Sequence, residues 1–186
     1  LLQLSFSSQF KTSCTTMAGH CEFTYHLIRH GETFGNAGEA SKAMKARGDD
    51  ELNAVGIAQA TSRSVDTTFV AVIAPSFDAV LVSPLRRALR TAIIALSSAE
   101  VVASRAAAGK PEPIMLLLDI SLRELNRNQK VMGTDGLYWR HRGTTLSKLK
   151  AEFAPIIAAA GGAVAIDWAS GGAEMAGDRV WWDHDD

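Results

Sequence analysis

A short apolar run, Ala79–Val82, passes without a break into Ser83-Pro84-Leu85-Arg86-Arg87-Ala88-Leu89-Arg90-Thr91-Ala92. This joint constrains the fold more than any other stretch of the chain. The run predicts a strand. Ser83 is a good N-cap, and Pro84 would sit at the first helical position, where its missing N–H costs nothing. Leu85, Ala88, Leu89, Ala92, Ile93 and Leu96 then recur at helical spacing and predict a buried stripe. A strand running straight into a helix sets the helix N-terminus beside the strand's carboxyl end, where anions bind in α/β folds. Arg86, Arg87 and Arg90 gather near that end, although taken singly each reads as part of a solvated basic face.

The rest of the chain fits the same class. Ile114–Ile120 is a nearly continuous apolar run, the pattern of a buried strand in a parallel sheet. Leu52-Asn53-Ala54-Val55-Gly56-Ile57-Ala58-Gln59-Ala60 places a good cap, Asn53, before helix formers and predicts a helix start. Thr145 is predicted to cap a helix reaching about Ala154, with Leu146, Leu149 and Phe153 on one face. Residues 35–50 and 126–143 read as loops, the second polar and aromatic enough to cover a site, and Ala99–Pro113 reads as the tail of the preceding helix plus a loop. The Ala/Gly run Ala158–Ala165 has no readable period.

At 186 residues the chain fits one domain with a sizeable core, and 47% hydrophobic with 21% charged residues argues against wholesale disorder. The net charge of −1 carries no basic excess, which disfavours nucleic acid and anionic membranes as partners and requires any anion site to be a local cluster. No apolar run approaches the ~20 residues of a membrane span. Cys14 and Cys21 match neither a zinc pattern nor a disulfide framework, so a reducing, cytoplasmic setting is the default. Residues 1–16 are rich in Ser and Thr, a weak hint of organelle targeting. The expected organisation is a disordered or non-native leader over residues 1–22, with Met17 a plausible start, and a single domain over 23–186.

Phe23–Ile28 reads as a strand, and at its end stand Arg29, His30 and Gly31. Arg29 offers a permanently charged fork of donors suited to an oxyanion. His30 can act as a neutral nucleophile near pH 7 and become cationic afterwards. Gly31 allows a sharp turn or a close approach to a ligand. Asn36 could donate its amide to a phosphate oxygen, although an Asn between glycines is commonly a turn residue.

Three segments together carry a resemblance. Arg29-His30-Gly31 resembles the RHG signature of the histidine phosphatase superfamily, whose best-known branch is the cofactor-dependent phosphoglycerate mutases. Leu52–Ala60 resembles that family's Leu-Thr-x-x-Gly-x-x-Gln-Ala helix, with Asn53 replacing Thr. Ser83–Ala92 resembles its Ser-Pro-Leu-x-Arg-Ala-x-x-Thr-Ala motif. The resemblance covers roughly residues 23–182, in the family's order, with Trp181 and Trp182 resembling a packed aromatic pair of such relatives.

It implies a three-layer α/β/α, mostly parallel, phosphoglycerate-mutase-like fold and a phosphomonoesterase working through a phosphohistidine at His30. Arg29, Asn36 and Arg87 would bind the phosphate, leaving Arg86 and Arg90 as surface residues. Glu124, in Ser121-Leu122-Arg123-Glu124, would be the general acid; without the resemblance it reads as an exposed Glu paired with Arg123 or Arg127. The implied reaction needs no metal or other cofactor. Arg140, His141 and Arg142 could meet an acidic substrate.

The resemblance is incomplete at its end. Family members carry a second site histidine on a late strand, followed by Gly or Ser, and His184 has neither the strand before it nor the small residue after it. The fold is therefore expected to be incomplete at the C-terminal end. Two alternatives stay open: mutase-type phosphotransfer, and a catalytically incomplete phosphate-binding or interaction protein. The substrate, a phosphorylated small molecule or a phosphoprotein, is not readable, and neither is the oligomeric state.

Overall fold

The computed structural model describes residues 7–16, 19–41, 49–122 and 144–171, with 7–16 and 19–23 described as backbone only. The chain divides after His30 into two compact units, Leu1–His30 and Gly31–Asp186.

The first unit is a hairpin. Strand β1 (Ser7–Thr16) pairs antiparallel with β2 (Gly19–Ile28), from Thr16 opposite Gly19 to Ser7 opposite Ile28. The strand expected over 23–28 is thus longer at its N-terminal end, and its partner comes from the stretch set aside as a leader. Two residues separate the strands, which permits only antiparallel pairing, since a parallel pair needs a crossover of a dozen residues or more. Tyr25, Leu27 and Ile28 are exposed.

The second unit is a mixed α/β body with a parallel three-stranded sheet flanked by helices, in keeping with the phosphoglycerate-mutase-like expectation. Strands β3 (Val80–Val82), β4 (Ile114–Leu118) and β5 (Val164–Asp167) lie in the order β3-β4-β5. Register sets Val80 opposite Leu116 and Val82 opposite Leu118, and Ile114 opposite Val164 and Leu116 opposite Ile166. Because side chains alternate along a strand, these residues share one face. That face is the core side, where Val82, Ile114, Leu116, Leu118, Val164 and Ile166 are all buried. Leu81 and Met115, on the other face, are exposed.

Four helices accompany the sheet among the described residues: α1 (Ala54–Ser64), α2 (Arg86–Leu96), α3 (Ala99–Ala107) and α4 (Leu146–Ala159). A π-helical turn, Phe69–Ile73, and a short 3₁₀ turn, Ile120–Leu122, complete the described elements. Leu89, Ile93 and Leu96 of α2, Val101 of α3, and Leu149 and Phe153 of α4 join Phe69 and the strands in one apolar core. The expected α2 stripe is real, and Leu85 and Leu89 lie at its bottom, 2% and 0% exposed. No helix among the described residues is long and apolar enough to cross a membrane.

Three local readings are revised. The Ala-rich stretch after α2 forms a separate helix, α3, because Ser98 caps it by accepting from the Val101 amide at 3.2 Å. Helix α4 continues past Ala154 and through Pro155 to Ala159, and Thr145 occupies its cap position without a side-chain cap bond. The unread Ala/Gly run resolves into a turn, with Gly161 and Gly162 at positive φ of 63° and 81°, followed by β5. Such backbone is cheap only for glycine.

Candidate active site

Helix α1 begins as predicted: Asn53 Oδ1 accepts from the Gly56 amide at 2.9 Å. The structure adds what this helix end is for, because it cradles the chain just after the Arg29-His30 pair. The Asn53 amide donates to the Glu32 carbonyl (3.1 Å), Asn53 Nδ2 donates to Glu32 Oε1 (2.8 Å), and the Glu32 amide donates to Gln59 Oε1 (2.9 Å). Thr33 and Leu52 form an isolated antiparallel bridge. The approach is so close that a Cβ on Gly31 would collide with the Gly56 carbonyl oxygen, and one on Gly56 with the Glu32 carbonyl oxygen. Both positions therefore require glycine, Gly31 for contact and not for a left-handed turn.

A second tie comes from α2. The Gly31 amide donates to Thr91 Oγ1 at 3.1 Å, and that hydroxyl donates onward to the Arg87 carbonyl at 2.8 Å. Thr91 is buried, so a single hydroxyl satisfies the Gly31 N–H and anchors it to the helical turn carrying Arg87.

The start of α2 departs from expectation. The first helical bonds, from the Ala88 and Leu89 amides, both reach the Leu85 carbonyl, so Leu85 and not Ser83 holds the cap position. Ser83 Oγ is buried without a hydrogen-bond partner among the described residues. The capping oxygen arrives from elsewhere in the chain: Asp49 Oδ1 accepts from the Arg86 amide at 3.1 Å. Its other oxygen accepts from Thr144 Oγ1 at 2.9 Å. A carboxylate at a helix N-terminus is favoured by the exposed amides and the helix dipole, so this helix end is already occupied by a protein anion. Asp49 is 2% exposed, and burial pushes its pKa from 3.8 up to about 6, against the lowering effects of Thr144, the Arg86 amide and the charges of Arg87 and Arg86.

The three arginines of this end have different fates. Arg86 is not a surface residue: Nε and Nη2 reach Glu152 Oε1 of α4 at 2.9 and 2.6 Å, and Nη1 pairs with Glu51 Oε1. Its guanidinium links α4 to the strand-like segment before α1, and with two carboxylates on it this is a structural tie. Arg87 is 4% exposed, whereas Arg90 is half-buried. An arginine so buried is retained only with polar surroundings.

Of the expected site residues, Arg29 is exposed and His30 half-buried at the end of the first unit. Asn36 and Arg87 belong to the second unit. Asn36 is exposed in the turn 34–38, and its main-chain N–H donates to Thr33 Oγ1 at 3.1 Å. Glu124 lies outside the described residues, as do Arg140, His141, Arg142, Trp181, Trp182 and His184. Asp49, Thr91, Gln59 and Thr144 were missed as contributors. The acidic run Asp49-Asp50-Glu51, just ahead of a helix cap, was the one visible signal. Among the described residues, no group of three or more His, Cys, Asp or Glu is placed to hold a metal ion.

Compared with models of protein families, residues 25–107 match the histidine phosphatase superfamily (branch 1). The matched span includes Arg29, His30, Asn36 and Arg87 and ends before Glu124. Against curated proteins and against solved structures, no significant match is found.

Proposed function

With residues 25–107 belonging to the histidine phosphatase superfamily, a superfamily of phosphatases and mutases, we propose that this chain is a phosphomonoesterase acting through a phosphohistidine at His30. The observation that carries the reading is the pair of bonds from the Gly31 amide to Thr91 Oγ1 and from Thr91 Oγ1 to the Arg87 carbonyl. It ties the peptide that follows His30 in the chain to the turn that supplies a buried arginine.

In this reading neutral His30 attacks phosphorus, a P–N bond forms, and the ester P–O bond breaks. Glu124 gives its proton to the departing oxygen, then takes one from the water that cleaves the P–N bond and releases inorganic phosphate. Arg29, Arg87 and the Asn36 amide bind the remaining phosphoryl oxygens. Little covalent chemistry is asked of them, because phosphoryl transfer is accelerated mainly by positioning and by charge stabilisation. Loss of one such donor costs about a hundredfold or more in rate.

The test is phosphate release from p-nitrophenyl phosphate, chelator present, by the chain and its His30→Ala variant. Turnover by the parent and none by the variant is expected, and equal turnover in both overturns the role of His30. Glu124→Gln should slow esters of poor leaving groups more than those of good ones; equal slowing removes Glu124 from the acid role.

A further inference from the structure

We propose that Cys14 and Cys21 form a reversible disulfide across the hairpin of the first unit, a thiol–disulfide site that closes this element under oxidising conditions. The proposal is independent of the phosphatase reading.

The register carries it. In the antiparallel pairing of β1 with β2, Cys14 stands opposite Cys21, between the pairs Ser13–Glu22 and Thr15–His20. These two are the chain's whole complement of cysteine. They are well separated in sequence, and the short connection between the strands is what brings them opposite each other. Residues directly opposite in an antiparallel pair share a face of the ribbon, with Cα atoms about 4.5 or 5.5 Å apart. Both spacings fall within the ~4.4–6.8 Å usual across a disulfide. A register one residue different would set Cys14 against His20 or Glu22 and put the two cysteines on opposite faces.

A metal is the competing use of two cysteines, and the same register argues against it. A structural zinc site takes four ligands. The residues that flank the cysteines on their face are Thr12 and Phe23 on one side and Thr16 and Gly19 on the other, none of them His, Cys, Asp or Glu. His20 and Glu22 stand on the opposite face. A disulfide needs only the pair.

The hairpin has a use for the bond. Two strands alone are marginal in water, and the connecting Met17-Ala18 lacks the Asn-Gly or Asp-Gly that fixes a tight turn. A cross-link removes open conformations from the competing ensemble. Opposed Cβ atoms in a ladder lie about 4.5–5.5 Å apart and those of a disulfide about 3.5–4.5 Å, so closing the bond draws the strands together. A bond closed in that way yields readily to reductant, which suits a switch better than a permanent staple. In reducing compartments disulfides are of this transient, redox-sensing kind.

With glutathione disulfide as oxidant, the thiolate of one cysteine attacks a glutathione sulfur, forms a mixed disulfide and releases one glutathione thiolate. The other cysteine, as its thiolate, attacks the protein sulfur of that mixed disulfide and expels the second glutathione. Two protein thiols are oxidised, one glutathione disulfide is reduced to two glutathione thiols, and the protons of the protein thiols pass to the products.

The experiment equilibrates the full chain in glutathione buffers from reduced to oxidised, quenches in acid, labels free thiols with a maleimide and weighs the intact chain. At the oxidised end the expected product is a monomer lighter by two hydrogen atoms that takes no label; at the reduced end both cysteines are labelled. Cyanogen bromide cleavage at Met17, which lies between the cysteines, should separate their peptides only after reduction. The double variant Cys21→Ser, Glu22→Cys keeps two thiols but moves one to the other face, and its half-oxidation should need a ratio of oxidised to reduced glutathione about tenfold higher or more. Amide hydrogen exchange in β1 and β2 of the parent should slow about tenfold or more on oxidation.

A parent that keeps both thiols at every ratio, or yields only glutathione adducts or disulfide-linked dimers, overturns the proposal. A displaced pair that closes as readily as the native one overturns it too, because nearness in sequence and not the hairpin register then explains the bond. Unaltered amide exchange on oxidation overturns it as well, since the bond then closes nothing.

Discussion

Gly56→Ala sets a general rule against a particular contact. Gly56 is the third residue of α1, and replacing Gly by Ala inside a helix ordinarily stabilises by up to about 1 kcal/mol. Here the new methyl would overlap the Glu32 carbonyl oxygen and stand 2.7 Å from the Glu32 nitrogen and 2.9 Å from its carbonyl carbon. All three are main-chain atoms and cannot rotate away, so the 31–33 segment has to move. Three hydrogen bonds hold Glu32 to α1 and its cap: Asn53 amide to Glu32 carbonyl, Asn53 Nδ2 to Glu32 Oε1, and Glu32 amide to Gln59 Oε1. At about 1 kcal/mol net each, their loss outweighs the propensity gain by about 2 kcal/mol. For a unit of this size that lowers the unfolding midpoint by roughly 4–8 °C. Urea denaturation followed by circular dichroism measures the difference directly, and turnover should fall with it because the displaced peptides directly follow His30. A Gly56→Ala protein as stable as the parent, or more so, would refute the claim that this close approach is built into the fold.

Thr91→Val is nearly isosteric but removes the buried hydroxyl that accepts from the Gly31 amide and donates to the Arg87 carbonyl, and should destabilise by about 1–3 kcal/mol in a denaturant titration, whereas Thr91→Ser should lose less than half of that. Asp49 has a folded-state pKa near 6 against 3.8, so its contribution to stability is fully present below pH 3.8 and is lost as pH rises through 6. The gap corresponds to about 3 kcal/mol, and the stability of the parent relative to Asp49→Asn should fall by up to that amount between pH 4 and pH 8. A pH-independent difference between the two would show that Asp49 is not a buried carboxylate.

What was legible in the sequence was local. Asn53 could be named as a cap because its partner, the Gly56 amide, is three residues away. The α2 stripe could be read because a period of 3.6 follows from backbone geometry within one element, and the β4 run because its apolar residues are contiguous in the chain. The three motif segments also sufficed to indicate the family, since family signatures are recorded along the chain. The RHG stretch could be located, but the helix end that cradles the residues after it could not.

Partner choice across the chain was decided only by the tertiary structure. Ser83 had every local qualification for a cap, yet it is a carboxylate 37 residues upstream that accepts from the Arg86 amide. Arg86 and Arg87 are adjacent in a basic cluster, yet one is spent on Glu51 and Glu152 while the other is buried at the first turn of α2. The glycines at 31 and 56 look like a loop residue and a tolerated helix interruption, and prove to be two halves of one backbone contact. The physical reason is common to all three. A side chain's propensity is settled by its own backbone and nearest neighbours, whereas its hydrogen-bond partner, its burial and the room for a single methyl depend on which distant segment the topology brings against it.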